Sequence, residues 1–156
     1  MIYSKKVTTS HSLCLRYRQA IVLLSTLLKE EGSKKNFFAD ELVLNLDTVE
    51  ILIKTSCGSR EETMDFCMGL SSNQMLLVEL KLRVLEPKNL KRKDLENKIR
   101  YSRCLLGEEI SVSREKVFLF NDKVIEVARR NLSRLFNNNP NLKVYTVEEF
   151  RKLYFD

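Results

Sequence analysis

The chain has 156 residues, of which 44% are apolar and 31% charged, and it carries a formal net charge of +6. That is one domain's worth of sequence with enough apolar content for a real core, which excludes intrinsic disorder, a collagen-like fibre and a disulfide-stapled miniprotein. No stretch reaches the roughly 18 uninterrupted apolar residues of a membrane span. The start, Met1–His11, has lysines but no apolar run behind them, so neither a secretory signal nor a membrane partner is expected. The cysteines Cys14, Cys57, Cys67 and Cys104 are scattered without a CxxC, and His11 is the only histidine. A zinc site or a Cys–His dyad is not expected, and reduced thiols in a cytoplasmic protein are.

The elements can be read in chain order. Residues 1–12 are expected to be a flexible segment of a single domain spanning 1–156. Leu13, Tyr17, Ala20, Leu24, Leu27 and Leu28 recur at helical steps, predicting one helix over 13–31 that ends at Gly32 and carries Glu31 at the end of its apolar face. Asn36–Asp47 is open to either a short helix or a strand at Leu42-Val43-Leu44. Val49, Ile51 and Ile53 alternate with Glu50 and Lys54, predicting a strand over 49–55. Cys57–Thr63 reads as a polar loop. Asp65–Leu70 and Met75–Val84 read as a hairpin joined by Ser71-Ser72-Asn73-Gln74. A basic helix is predicted over 90–106 with Gly107 as its stop, then a buried strand at Val117–Phe120 and a helix from Asn121 or Asp122 to about Phe136. Asn137-Asn138-Asn139-Pro140 breaks the chain. A strand at Leu142–Tyr145 then leads into a helix of about Val147–Leu153, with Thr146 and Glu149 as its capping box. The order predicts an α/β mixed sheet of four or five strands flanked by helices, with Met75–Val84 at its centre.

Charge is concentrated in one place. Lys81, Arg83, Lys88, Lys91, Arg92, Lys93, Lys98, Arg100 and Arg103 face only Glu86, Asp94 and Glu96 within residues 81–103, so this segment holds the whole net excess. Such a patch suits a polyanion, nucleic acid first, or is simply a solvated lysine-rich face. Arg129, Arg130 and Arg134 form a second stripe with the same two readings.

The third strand places Glu79 and Lys81 on one face of an otherwise apolar segment. Burying them is costly unless they serve each other or a ligand. Asp65, at the start of the preceding strand, returns beside Glu79 through the hairpin. Strict pairing across a four-residue turn would set it opposite Leu80, on the wrong face; an odd-length loop or a bulge at Gly69 would bring the two carboxylates together. Two carboxylates with a lysine make a candidate site for a hard cation.

Asp65-Phe66, a turn, and Leu77-Val78-Glu79-Leu80-Lys81, with a helix before and a helix and strand after, resemble the PD-(D/E)xK nuclease superfamily over roughly residues 13–120. The residue before Asp65 is Met64 rather than that family's proline. The resemblance implies a restriction-endonuclease-like αβββαβ core with a C-terminal helix-strand-helix over 121–156. It also implies Mg²⁺ (or Mn²⁺) held by Asp65, Glu79 and the Leu80 backbone, joined by Glu31 or Glu30 from the first helix. Lys81 would orient the attacking water or stabilise charge on phosphorus. The resulting expectation is a metal-dependent nuclease acting on DNA, an endonuclease rather than an exonuclease, with homodimerisation allowed for. Lys88, Lys91, Arg92, Lys93, Lys98, Arg100 and Arg103 are the expected nucleic-acid contacts, with Lys98 and Tyr101 as auxiliary positions or plain surface and packing. The competing expectations are a non-catalytic nucleic-acid- or protein-binding module on the same fold, and an interaction domain for which Glu79 and Lys81 are only an exposed pair.

Overall fold

The computed structural model describes residues 2–54 and 61–156. Thr55, Cys57 and much of the loop expected at 57–63 lie outside the described residues. Among the described residues six strands form one mixed sheet in sequence order: β1 (Ile21–Leu23), β2 (Leu42–Asn45), β3 (Phe66–Leu70), β4 (Gln74–Lys81), β5 (Ser111–Phe120) and β6 (Leu142–Tyr145). Strands β1 to β4 are antiparallel, whereas β4, β5 and β6 run parallel. The parallel pairs require crossovers, which α5 (Arg92–Leu106) and α6 (Ile125–Leu135) supply. The other α-helices among the described residues are α1 (Lys5–Ser10), α2 (Ser12–Arg16), α3 (Leu24–Glu30), α4 (Leu46–Lys54) and α7 (Val147–Tyr154), with short 3-10 turns at Arg18–Ala20 and Pro87–Asn89. None of the described helices is long and apolar enough to cross a membrane.

Both faces of the sheet are apolar. Met75 and Leu77 point to one face, where α2, α4, α5 and α6 pack through Leu13, Val49, Leu95 and Leu132. Leu76, Val78 and Leu80 point to the other, under Leu24, Leu27 and Leu28 of α3 and Phe150 of α7. Strand β4 is therefore buried along almost its whole length. That is why its sequence reads as a nearly unbroken apolar run with one glutamate in it.

Two expected elements differ. The helix expected over 13–31 is four pieces, α2, a 3-10 turn at Arg18–Ala20, β1 and α3, because β-branched Ile21 and Val22 pair with Leu44 and Val43 and make the first sheet edge. The strand expected at 49–55 is helix α4, and the strand before it is Leu42–Asn45. Asn45 Oδ1 accepts from the Thr48 N–H and starts that helix. Leu46, Val49, Glu50 and Ile53 share one helical face, a period that the alternation of Val49, Ile51 and Ile53 masks. The N-terminal segment is held in place as well: the Ser4 amide donates to Gly69 O, and Gly69 N–H donates to Thr8 Oγ1. A Cβ on Gly69 would lie 2.3 Å from the Thr8 nitrogen, so glycine is what lets α1 lie on β3.

The hairpin sets the register of the site. Leu70 pairs with Gln74, so the connection is Ser71-Ser72-Asn73, three residues and not four. Asn73 takes φ +59°, the left-handed conformation that closes such a loop. Gly69 pairs regularly with Met75, without a bulge. The odd length shifts the register by one and places Asp65 opposite Glu79 on the same face. Replacing Asn73 with Ala should cost about 1 kcal/mol through the left-handed backbone, while Asn73→Gly should be close to neutral. Urea midpoints of the two variants measure the difference.

Candidate active site

The Glu79 side chain is only 2% exposed and lies against two ammonium groups, Lys98 Nζ at 3.0 Å and Lys81 Nζ at 3.6 Å, both from the same oxygen Oε1. Its other oxygen, Oε2, is buried without a hydrogen-bond donor. Burial raises the Glu79 pKa to about 8, and the charge of Asp65 pushes in the same direction, against the pull of the lysines. Glu79 therefore holds its proton well above the usual carboxylate range. Asp65 Oδ2 accepts from the Leu80 N–H at 2.6 Å, which fixes Asp65 across the strand pair.

The lysines arrive from two elements. Lys81 follows Glu79 at the strand period, and Lys98 lies on the buried stripe of α5 beside Leu95 and Ser102. Ser102 fastens that helix to the start of β3: its Oγ accepts from the Met64 N–H at 2.8 Å and donates to Lys98 O at 2.7 Å. The Asp65 carbonyl accepts from the Leu46 N–H at the end of β2. One serine thus spaces Asp65 and Lys98 from a common point. The sequence reading takes Lys98 as a nucleic-acid contact, an auxiliary position or plain surface, and does not single out Ser102. A signal for both exists: Lys98 is three residues after Leu95 and four before Ser102, on the stripe that faces the sheet.

Glu31 caps the C-terminal end of α3. Its pKa is raised, mainly by burial and then by Asp65, while Arg83 and Lys81 oppose the shift. It makes no ion pair among the described residues. Arg83 instead donates to the neighbouring Glu30 carbonyl and so anchors the end of α3.

The expected Mg²⁺ (or Mn²⁺) centre is corrected by this arrangement. Among the described residues, no three His, Cys, Asp or Glu side chains form a group that could hold a metal ion. Lysine ammonium groups take one oxygen of Glu79, a backbone N–H takes Asp65 Oδ2, and Glu31 stays outside the contact. The positive charge opposite the acidic pair comes from Lys81 and Lys98.

The basic segment divides. Lys88, Lys91, Lys93, Arg100 and Arg103 are exposed, while Lys98 belongs to the cluster. Arg92 pairs with Glu96 and covers the Phe136 ring. Tyr101 sits under Lys54, 5.8 Å from ring centre to nitrogen. In the second stripe Arg129 is structural, bound to Glu149 and Glu126 and donating to Val144 O. His11 is buried: its Nδ1 accepts from the Leu13 N–H, which leaves the Nε2 proton for Leu106 O at 2.8 Å. Cys14 and Cys67 are buried free thiols, and Cys104 is exposed.

No protein-family model, curated protein or solved structure matches the chain.

Proposed function

We propose that the protein hydrolyses phosphodiester bonds of nucleic acid, DNA in the first instance, at the Asp65–Glu79–Lys81–Lys98 cluster on the arrangement that resembles the PD-(D/E)xK nucleases. The observation that carries this reading is a buried glutamate set directly opposite an aspartate and against two lysines, near the C-terminal end of a central strand. A strand interior does not retain such a group for stability alone, since an apolar replacement would cost less. Each residue has a task in hydrolysis. Lys81 orients the attacking water, and Lys81 and Lys98 stabilise the negative charge that grows on the phosphoryl oxygens. The Asp65 carboxylate receives the proton the water gives up as its oxygen bonds to phosphorus. The ester bond then breaks, and the leaving oxygen is protonated from solvent. The exposed cations of residues 88–103 dock the backbone.

A second reading, a non-catalytic nucleic-acid-binding module, is favoured by one observation: Glu79 Oε1 and Asp65 Oδ2 are already engaged within the fold. The two readings separate in one experiment. With supercoiled plasmid, wild-type protein should bind with an affinity that falls steeply between about 50 and 200 mM salt and should leave nicked product, whereas Asp65→Asn should bind equally well and leave the plasmid intact. Binding without nicking by the wild type would replace hydrolysis with the module reading. Absence of binding at low salt would remove both.

A further inference from the structure

A second group of cations lies on the other side of α5 from Tyr101 and Asp94. Arg114 and Lys116 project from β5 on the sheet face that also carries Glu79, and Arg103 comes from the last turn of α5. The Lys116 ammonium donates to the Arg114 carbonyl at 2.7 Å. It is half-buried, and its pKa is lowered by that burial and by the charge of Arg103. None of the three forms an ion pair among the described residues. The one acid in the cleft beside them, Glu96, is taken by Arg92 at 2.7 Å. The cleft has an apolar side of Ile99, Phe136 and Leu142 and an amide side of Asn139 and Asn141. Asn139 Oδ1 accepts from the Asn141 N–H, which leaves its NH₂ as a donor.

Like charges gathered from two elements without a counter-charge destabilise a fold, and the cost is removed when an anion binds among them. A sugar-phosphate backbone meets every feature of the cleft: its phosphate takes the cations and the amide donor, and its sugar covers the apolar side. We propose that Arg103, Arg114 and Lys116 form a second phosphate-binding site, separate from the Asp65–Glu79 cluster, which holds the nucleic-acid backbone along the α5–α6 side of the molecule. The proposal rests on the nucleic-acid reading above and adds Arg114 and Lys116 to the residues expected to meet it.

Binding of a fluorescently labelled DNA duplex, followed by anisotropy over a range of salt concentrations, provides the test. Arg114→Ala combined with Lys116→Met should weaken binding about tenfold or more at low salt and reduce the slope of log affinity against log salt by about two. Plasmid nicking at saturating protein should match the wild type, and the melting temperature should not fall, because repulsion has been relieved. Arg103→Gln with Arg114→Gln should weaken duplex binding and reduce the salt slope in the same way, on exposed positions and with Lys116 left in place. An unchanged slope and affinity in both double variants, with the wild type still binding, overturns the second site and leaves the nucleic-acid reading standing. A wild type that does not bind the duplex overturns both. A saturable rise in melting temperature with inorganic phosphate, combined with variants that bind duplex normally, would assign the cleft to a free anion and overturn the proposal.

Discussion

Glu79→Gln should flatten the pH dependence of stability and leave the protein more stable than the wild type at pH 8. In the fold, the Glu79 pKa is raised from the ordinary carboxyl value of 4.5 to about 8, first by burial and then by Asp65. A group with a raised folded-state pKa is favourably protonated by folding. Its contribution is complete below about pH 4.5 and is lost as pH rises through about 8. Wild-type stability should therefore decline over that window, by an amount on the order of a few kcal/mol. The substituted glutamine cannot ionise, keeps the volume and still offers Lys98 an oxygen, so the profile of the variant should lack the decline. Urea midpoints from pH 5 to pH 9 report it. Parallel profiles for the two proteins would show that Glu79 ionises in the fold as it does in water.

Lys81→Met should lower the cleavage rate by about 10²–10³-fold while leaving duplex affinity nearly unchanged. The ammonium is 3.6 Å from Glu79 Oε1 and its side chain is 18% exposed, the more open of the two lysines only by a little. Its worth is greatest when charge builds on the phosphoryl oxygens, so its loss should appear in turnover and not in binding. Lys98→Met separates the lysines through stability. Lys98 makes the shorter contact to Glu79, at 3.0 Å, and removing it leaves that carboxylate with the weaker partner alone. The stability decline should extend further above pH 8 in Lys98→Met, because loss of the ammonium raises the Glu79 pKa again, and vanish when Glu79→Gln is added. An equal extension in both lysine variants would assign them interchangeable roles.

Much of this arrangement is legible in the sequence, and the reasons for the gaps are local. The Glu79–Lys81 pair stands out because β4 is otherwise apolar on both faces, and the capping box of Thr146 and Glu149 marks α7 to within a residue. Gly107, at φ +64°, ends α5 where expected. The register of the hairpin is not readable in the same way, because Gln74 suits a turn or a strand equally. Only the pairing of Leu70 with Gln74 makes the loop odd and brings Asp65 to Glu79. The broken helix at 13–31 has the same cause at longer range: Ile21 and Val22 continue a helical period until β2 offers them partners more than twenty residues later. A sequence pattern carries no record of such a partner. The metal expectation fails for a related reason. The resemblance supplies acidic residues, but Lys98, on a helix that follows the motif, reaches back to Glu79 and changes what those acids face.

Single-turnover cleavage of end-labelled duplex DNA, at protein concentrations that bind all of it, tests the hydrolytic role of the cluster most directly. The wild type should convert bound duplex to shorter products. Asp65→Asn and Lys81→Met, at the same occupancy, should leave it intact over the same time. Cleavage at wild-type rates by both variants, or bound duplex that the wild type never cuts, would contradict a catalytic role for Asp65, Glu79 and Lys81.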